Sequence, residues 1–131
     1  MLRWAILLML IAGAHFSLTV LLPAHAGRAW LLWPVAADTR PVARIFATEG
    51  RSLTLILLLM SGSAFLAASA SMVGWIVPAA LWPSLVMAGC FGSILLFLIY
   101  LNRYALLPLL VDALLLWGVT AQQWTTAVRG F

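Results

Sequence analysis

Between residues 52 and 102 the chain carries no Asp, Glu, Lys or Arg. A stretch of that length without charge cannot present a solvated surface. It is also far longer than the ~20 apolar residues that take one helix across the hydrocarbon core of a bilayer. The segment must therefore fold back on itself, and Gly74-Trp75-Ile76-Val77-Pro78 supplies the break. Gly and Pro end helices there, and Trp favours headgroup depth. Two spans result, residues 52–72 and 82–101. Two more apolar stretches flank them. Residues 4–22 are interrupted only by His15, Ser17 and Thr19, and residues 104–121 carry one charge, Asp112. The expected fold is all-α: an integral membrane four-helix bundle, a single membrane domain over residues 1–131, with a short interfacial helix in the first loop.

Composition excludes the soluble alternatives. The chain is 66% hydrophobic and 8% charged, where soluble domains carry about 25% charged residues. The net charge of +4 comes from seven Arg and no Lys, against Asp38, Glu49 and Asp112. In a soluble chain such a balance would point to nucleic acid. Here the Arg residues lie between or beside the spans, where they meet anionic headgroups and set topology. The expected partner is the lipid bilayer, and no nucleic acid is expected. Abundant Ala, Leu, Trp and Arg without Lys points to a GC-rich bacterial genome, and so to a multi-pass protein of the bacterial inner membrane. Cys90 stands alone, with no disulfide framework and no CxxC motif.

Arg3, an apolar run and Ala24-His25-Ala26 imitate a secretory signal with its cleavage site. The run is longer than the ~7–15 residues of a signal's apolar region and carries His15, Ser17 and Thr19, so it reads as a first span. Arg28, Arg40, Arg44, Arg51 and Arg103 then share one side, and Arg3 and Arg129 the other. That excess places the first loop in the cytoplasm and both termini outside; the signal-like start favours the reverse.

The first loop, residues 23–51, reads as partly structured. Trp30-Leu31-Leu32-Trp33-Pro34 is too short to span and too apolar for water, so it belongs in the interface. Asp38-Thr39 can cap a short helix that Pro41 enters near its first turn. Val42, Ile45 and Phe46 then form an apolar stripe opposite Arg40 and Arg44.

Small residues mark the packing faces. Ser61, Ala64, Ala68 and Ser71 line one face of the second span; Ser84, Ala88 and Gly92 recur every four residues on the third, beside Gly89 and Ser93. Such spacing lets backbones approach closely in lipid, where van der Waals contact replaces the hydrophobic drive. The second and third spans are expected to form a tight antiparallel hairpin.

When each span is centred in the bilayer, His15, Ser61, Ser63, Cys90, Ser93 and Asp112 fall at similar depth. Lipid offers an acid no water, so Asp112 must be neutral, paired or facing a polar cavity. The candidate midplane site is His15, Ser61, Ser63, Ser93 and Asp112, with Asp112 hydrogen-bonded to His15 or a serine. A carboxyl beside an imidazole can exchange a proton; the plainer role is interhelical glue. Pro108 leaves two geometries open. It either kinks the fourth span or begins it, and the second would move Asp112 into the first helical turn. No catalytic set, metal cluster or nucleotide motif is present, and no cofactor is expected. His15 with Met60 or Met87 is a conceivable ligand pair, although Met is more often filler.

The order of parts resembles small four-helix bacterial inner-membrane proteins of the DoxX-like kind. The likeness covers residues 48–121. It rests on the Arg-bearing stretch before Leu53, Ser61-Gly62-Ser63-Ala64-Phe65-Leu66-Ala67-Ala68, Trp82-Pro83, Ser93 and Leu109-Leu110-Val111-Asp112-Ala113-Leu114. It implies an architecture and transfers no catalytic residue. The chain also has the size of small multidrug-resistance transporters, but their functional acid is a Glu in the first span, where this chain has His15 and no acid. The expected role is a non-catalytic accessory or structural subunit packed against a larger membrane complex. The alternative is a small proton-coupled carrier or lipophilic-ligand (quinone or lipid) binder, working as a homo-oligomer and using Asp112 and His15. A quinone-linked enzyme subunit stands third.

Overall fold

The computed structural model describes residues 1–22, 28, 34, 50–100 and 103–122. Among them all regular structure is helical. Helix α1 is Leu2–Thr19, α2 is Gly50–Met72, α3 is Trp82–Ile99 and α4 is Leu106–Thr120. Short 3-10 turns, Ala79–Leu81 and Arg103–Ala105, lead into α3 and α4. The proposed interfacial segments of the first loop lie outside the described residues, apart from isolated positions.

Three helical stretches, Leu2–Thr19, Ser52–Met72 and Ala79–Ile99, are long and apolar enough to cross a membrane. Helix α4 has 15 residues, about 22 Å at 1.5 Å per residue. Its leading 3-10 turn adds about 6 Å, bringing the rod close to the ~30 Å of a hydrocarbon core.

The break between α2 and α3 is a turn with a specific chemistry. Gly74 has φ 75°, the left-handed conformation that costs glycine nothing. The Trp75 N–H donates to the Ala70 carbonyl (2.9 Å) and the Gly74 N–H to Ser71 (3.1 Å), the two bonds of a Schellman motif. The Ser71 hydroxyl then donates to the Pro78 carbonyl across the turn at 3.3 Å. Pro83 enters α3 in its first turn, where its missing N–H has no helical partner to lose.

Helices α2 and α3 form the most extensive pairing; α1 packs on α2, α4 on α3, and α1 touches both α3 and α4. The Thr54 and Tyr100 hydroxyls meet at 3.1 Å where α2 begins and α3 ends. At the opposite end the Arg3 guanidinium donates to the Met72 carbonyl, a cation on the C-terminus of α2 as its dipole favours.

Two apolar clusters fill the interior. One contains Ile6, Leu10, Phe65, Trp82, Val86 and Leu115; the other contains Phe16, Leu57, Leu58, Leu96, Phe97 and Ala105. Leu8, Ile56, Leu59, Leu66, Phe91 and Leu95 point outward and are exposed. That outward apolar face suits lipid and does not suit water.

Helix contacts are made close by glycine. A Cβ on Gly13 would stand 2.9 Å from the Phe65 ring, and one on Gly89 would also stand 2.9 Å from that ring. Phe65, on α2, is thus seated between α1 and α3. A Cβ on Gly92 would meet Met60 Cε at 2.8 Å, Ser61 Cβ at 3.2 Å and the Leu57 carbonyl oxygen at 3.3 Å.

The small-residue faces need one correction. Ser61, Ala64, Ala68 and Ser71 are all buried on α2. On α3 the buried positions are Trp82, Val86, Gly89, Cys90, Gly92, Ser93, Leu96, Phe97 and Ile99. Ala88 is half-buried, and Ser84 is exposed. At 100° per residue, Ser84 stands two residues from both Trp82 and Val86, which turns it away from the interior.

Candidate functional site

A belt of buried polar groups lies between the two apolar clusters. On α2, Ser61 falls between Leu58 of one cluster and Phe65 of the other. On α3, Ser93 falls between Cys90 and Leu96, and on α4, Asp112 falls between Ala105 and Leu115. Ser17, Ser61, Ser93 and Asp112 are all fully buried.

One half of the belt is satisfied. The Ser61 hydroxyl donates to the Gly89 carbonyl at 3.0 Å, and the Ser17 and Ser61 hydroxyls stand 2.7 Å apart. A hydroxyl has one proton to give, so with Ser61 donating to Gly89, Ser17 donates to Ser61. The chain of bonds ties α1, α2 and α3 together. Interhelical bonds of this kind are worth about 0.6–2 kcal/mol each in membranes. Ser61→Ala removes both, and we expect a loss of about 1–2 kcal/mol, read by unfolding in bicelles. Unchanged stability would show that the network contributes nothing.

The other half is unsatisfied. Both carboxyl oxygens of Asp112 and the Ser93 hydroxyl are buried without a hydrogen-bond partner among the described residues. Ser93 is the α3 side chain that lies beside the Asp112 carboxyl. Cys90, one turn away on α3, is within electrostatic reach of the same carboxyl. Asp112 is the seventh residue of α4, and Pro108 the third. Pro108 therefore belongs to the first turn, and Asp112 lies beyond it in the body of the helix. The geometry that would make Asp112 a helix-start residue in reach of water is not the one formed.

The structure brings Ser61, Ser93 and Asp112 into the belt and leaves two other candidates out. Ser63 is exposed, and its hydroxyl bonds back to the carbonyls of Leu59 (2.5 Å) and Met60 (3.2 Å) on its own helix. His15 is half-buried and sets its ring edge-on to Phe16, centroids 5.7 Å apart. Of the partners expected for Asp112, a serine, Ser93, lies beside the carboxyl. Ser17, not His15, is the α1 residue in the belt. Its signal was legible: Ile6, Leu10, Gly13 and Ser17 recur at helical spacing, and all four are buried.

Among the described residues no group of three His, Cys, Asp or Glu stands together to hold a metal ion. The chain matches no family model, no curated protein and no solved structure. Any functional reading therefore rests on the packing and the polar belt of the bundle itself.

Proposed function

We propose that this chain is a four-span protein of the bacterial inner membrane, with its first loop in the cytoplasm, that serves as a non-catalytic accessory subunit of a larger membrane complex. The observation that carries this reading is the closure of the interior around Phe65, which fills the space between Gly13 and Gly89. A bundle closed in this way offers its broad apolar exterior for association. The DoxX-like resemblance adds an architecture to this reading and no activity. A homo-oligomer would use the same exterior.

Native mass spectrometry after gentle detergent extraction from the source membrane tests it. The expected result is stoichiometric co-migration with larger membrane subunits. Migration alone, or only with copies of itself, would sink the accessory reading.

A second reading, a small proton-coupled carrier or binder of a lipophilic ligand, draws on Asp112. A fully buried carboxyl with no hydrogen-bond partner among the described residues is costly in a membrane and is a default functional candidate there. Transport or ligand binding lost in Asp112→Asn, with the fold intact, would favour it.

A further inference from the structure

We propose that the turn between α2 and α3 is a lipid anchor, its tip immersed where the headgroups and acyl chains of one leaflet meet. The inference rests on the membrane-spanning reading above and adds where this end of the bundle sits.

The backbone of the tip carries the first observation. Ile76 has a φ of 60°, and the Val77 N–H donates across it to the Trp75 carbonyl at 2.6 Å. A bond from residue i+2 back to residue i around a positive φ is a γ-turn of the rare, strained kind. A β-branched residue adds to the strain, because its Cβ crowds the backbone in the left-handed region. The Ile76 side chain gains little from the bundle in exchange, being 82% exposed.

Water would remove the reason for such a turn. A solvated Val77 N–H could bond to water and let Ile76 relax. Where lipid keeps water scarce, the bond has to be made within the chain. Neighbouring groups follow the same rule. The N–H groups of Val73 (3.2 Å), Gly74 (3.1 Å), Trp75 (2.9 Å) and Leu81 (3.1 Å) all donate to carbonyls of the turn or of the end of α2. Pro78 has no N–H to satisfy, and its carbonyl accepts from the Ser71 hydroxyl.

The side chains agree with the backbone. From Met72 to Pro83 there is no Asn, Asp, Ser or Thr and no charged residue, whereas turns in water draw heavily on Asn, Asp and Ser. Val73, Trp75, Ile76 and Leu81 are exposed instead, and Trp favours headgroup depth.

Helix length sets the level of the turn. The Ser52–Met72 stretch has 21 residues, about 31 Å of helix, against ~30 Å of hydrocarbon. Arg51 precedes the stretch, and the Arg3 guanidinium bonds to the Met72 carbonyl at its far end. The turn therefore begins where the hydrocarbon ends, in a headgroup layer about 5–7 Å thick. Arg3 also selects lipid as the occupant. It is exposed at the base of the apolar tip, and a guanidinium there is complementary to the phospholipid phosphates.

Spin labelling of the full chain in bilayers of phosphatidylglycerol and phosphatidylcholine tests the anchor. The label goes on Ile76→Cys and, separately, on Leu59→Cys, an exposed position near the middle of α2. Both are made in the Cys90→Ala chain, since Cys90 is the single cysteine. The expected result is that collisions with oxygen outweigh those with a water-soluble nickel chelate at both positions, more so at Leu59. Nickel dominance at position 76 alone would overturn the anchor and leave the membrane reading standing. Nickel dominance at both would overturn the two together. An immobilised label at position 76 that neither reagent reaches would also overturn the anchor, by showing protein over the tip. Should Ile76→Cys fail to fold, Ala80→Cys, exposed in the same turn, carries the label with the same outcomes.

Discussion

Phe65→Ala is expected to destabilise the bundle by about 2–3 kcal/mol, measured by reversible unfolding in bicelles. In a water-soluble core the same truncation costs about 3–5 kcal/mol, part of it lost transfer free energy and part the cavity left behind. In a bilayer the transfer part is small, because the unfolded span leaves its ring in lipid. The packing part remains. The ring is fully buried and lies against both Gly13 and Gly89 at the limit of contact. A double-mutant cycle isolates that geometry. Gly89→Ala places a methyl 2.9 Å from the ring and should cost about 1–3 kcal/mol by overpacking. In the Phe65→Ala background the methyl has space, and the cost should vanish. The expected coupling is about 1–2 kcal/mol. Strict additivity of the two losses would show that Phe65 is not the wedge between α1 and α3.

Gly92→Leu should be more damaging, at or above about 3 kcal/mol. Its Cβ would stand 3.2 Å from Ser61 Cβ and 3.3 Å from the Leu57 carbonyl oxygen. Met60 can swing aside, but the α2 backbone cannot without opening the helix pair. Opening it also stretches the Ser61-to-Gly89 bond, made one turn away on the same face. The chain has its own reporter, because Cys90 is the single cysteine and is fully buried in the folded bundle. Labelling of that thiol by a membrane-permeant maleimide should be slow in the unmodified protein and rapid in Gly92→Leu. Ser84→Leu is the control. Its side chain is exposed, and the change should stay within about 0.5 kcal/mol of neutral. Equal labelling of the two variants would mean that α3 presents a different face to α2.

The site residues differ in how far local pattern could place them. Ser61, Ser93 and Asp112 are recognisable as polar residues at mid-span, and depth alone puts them in one layer. His15, Ser63 and Ser84 share that depth or that small-residue spacing, yet each stands two residues from a buried neighbour on its helix: Ser17, Ser61 and Trp82. Two residues are about 200° of helical rotation, so depth was legible where direction was not. The surroundings of Asp112 could not be read from the chain at all. They depend on which face of α3 meets α4, the one that carries Ser93.

By itself the sequence determined the helical class, the places where helices stop and the depth of the polar residues. The charge-free stretch permits only helices in an apolar medium, since backbone groups there must be satisfied within their own segment. Gly74 closes α2 for a local reason, its freedom to take a φ of 75°. Tertiary structure alone decided which faces meet. Phe65 between Gly13 and Gly89, Ser17 on Ser61, and Ser93 beside Asp112 each join residues from different helices. Such pairings depend on the rotation and axial shift of whole helices, and no local spacing in the chain encodes either.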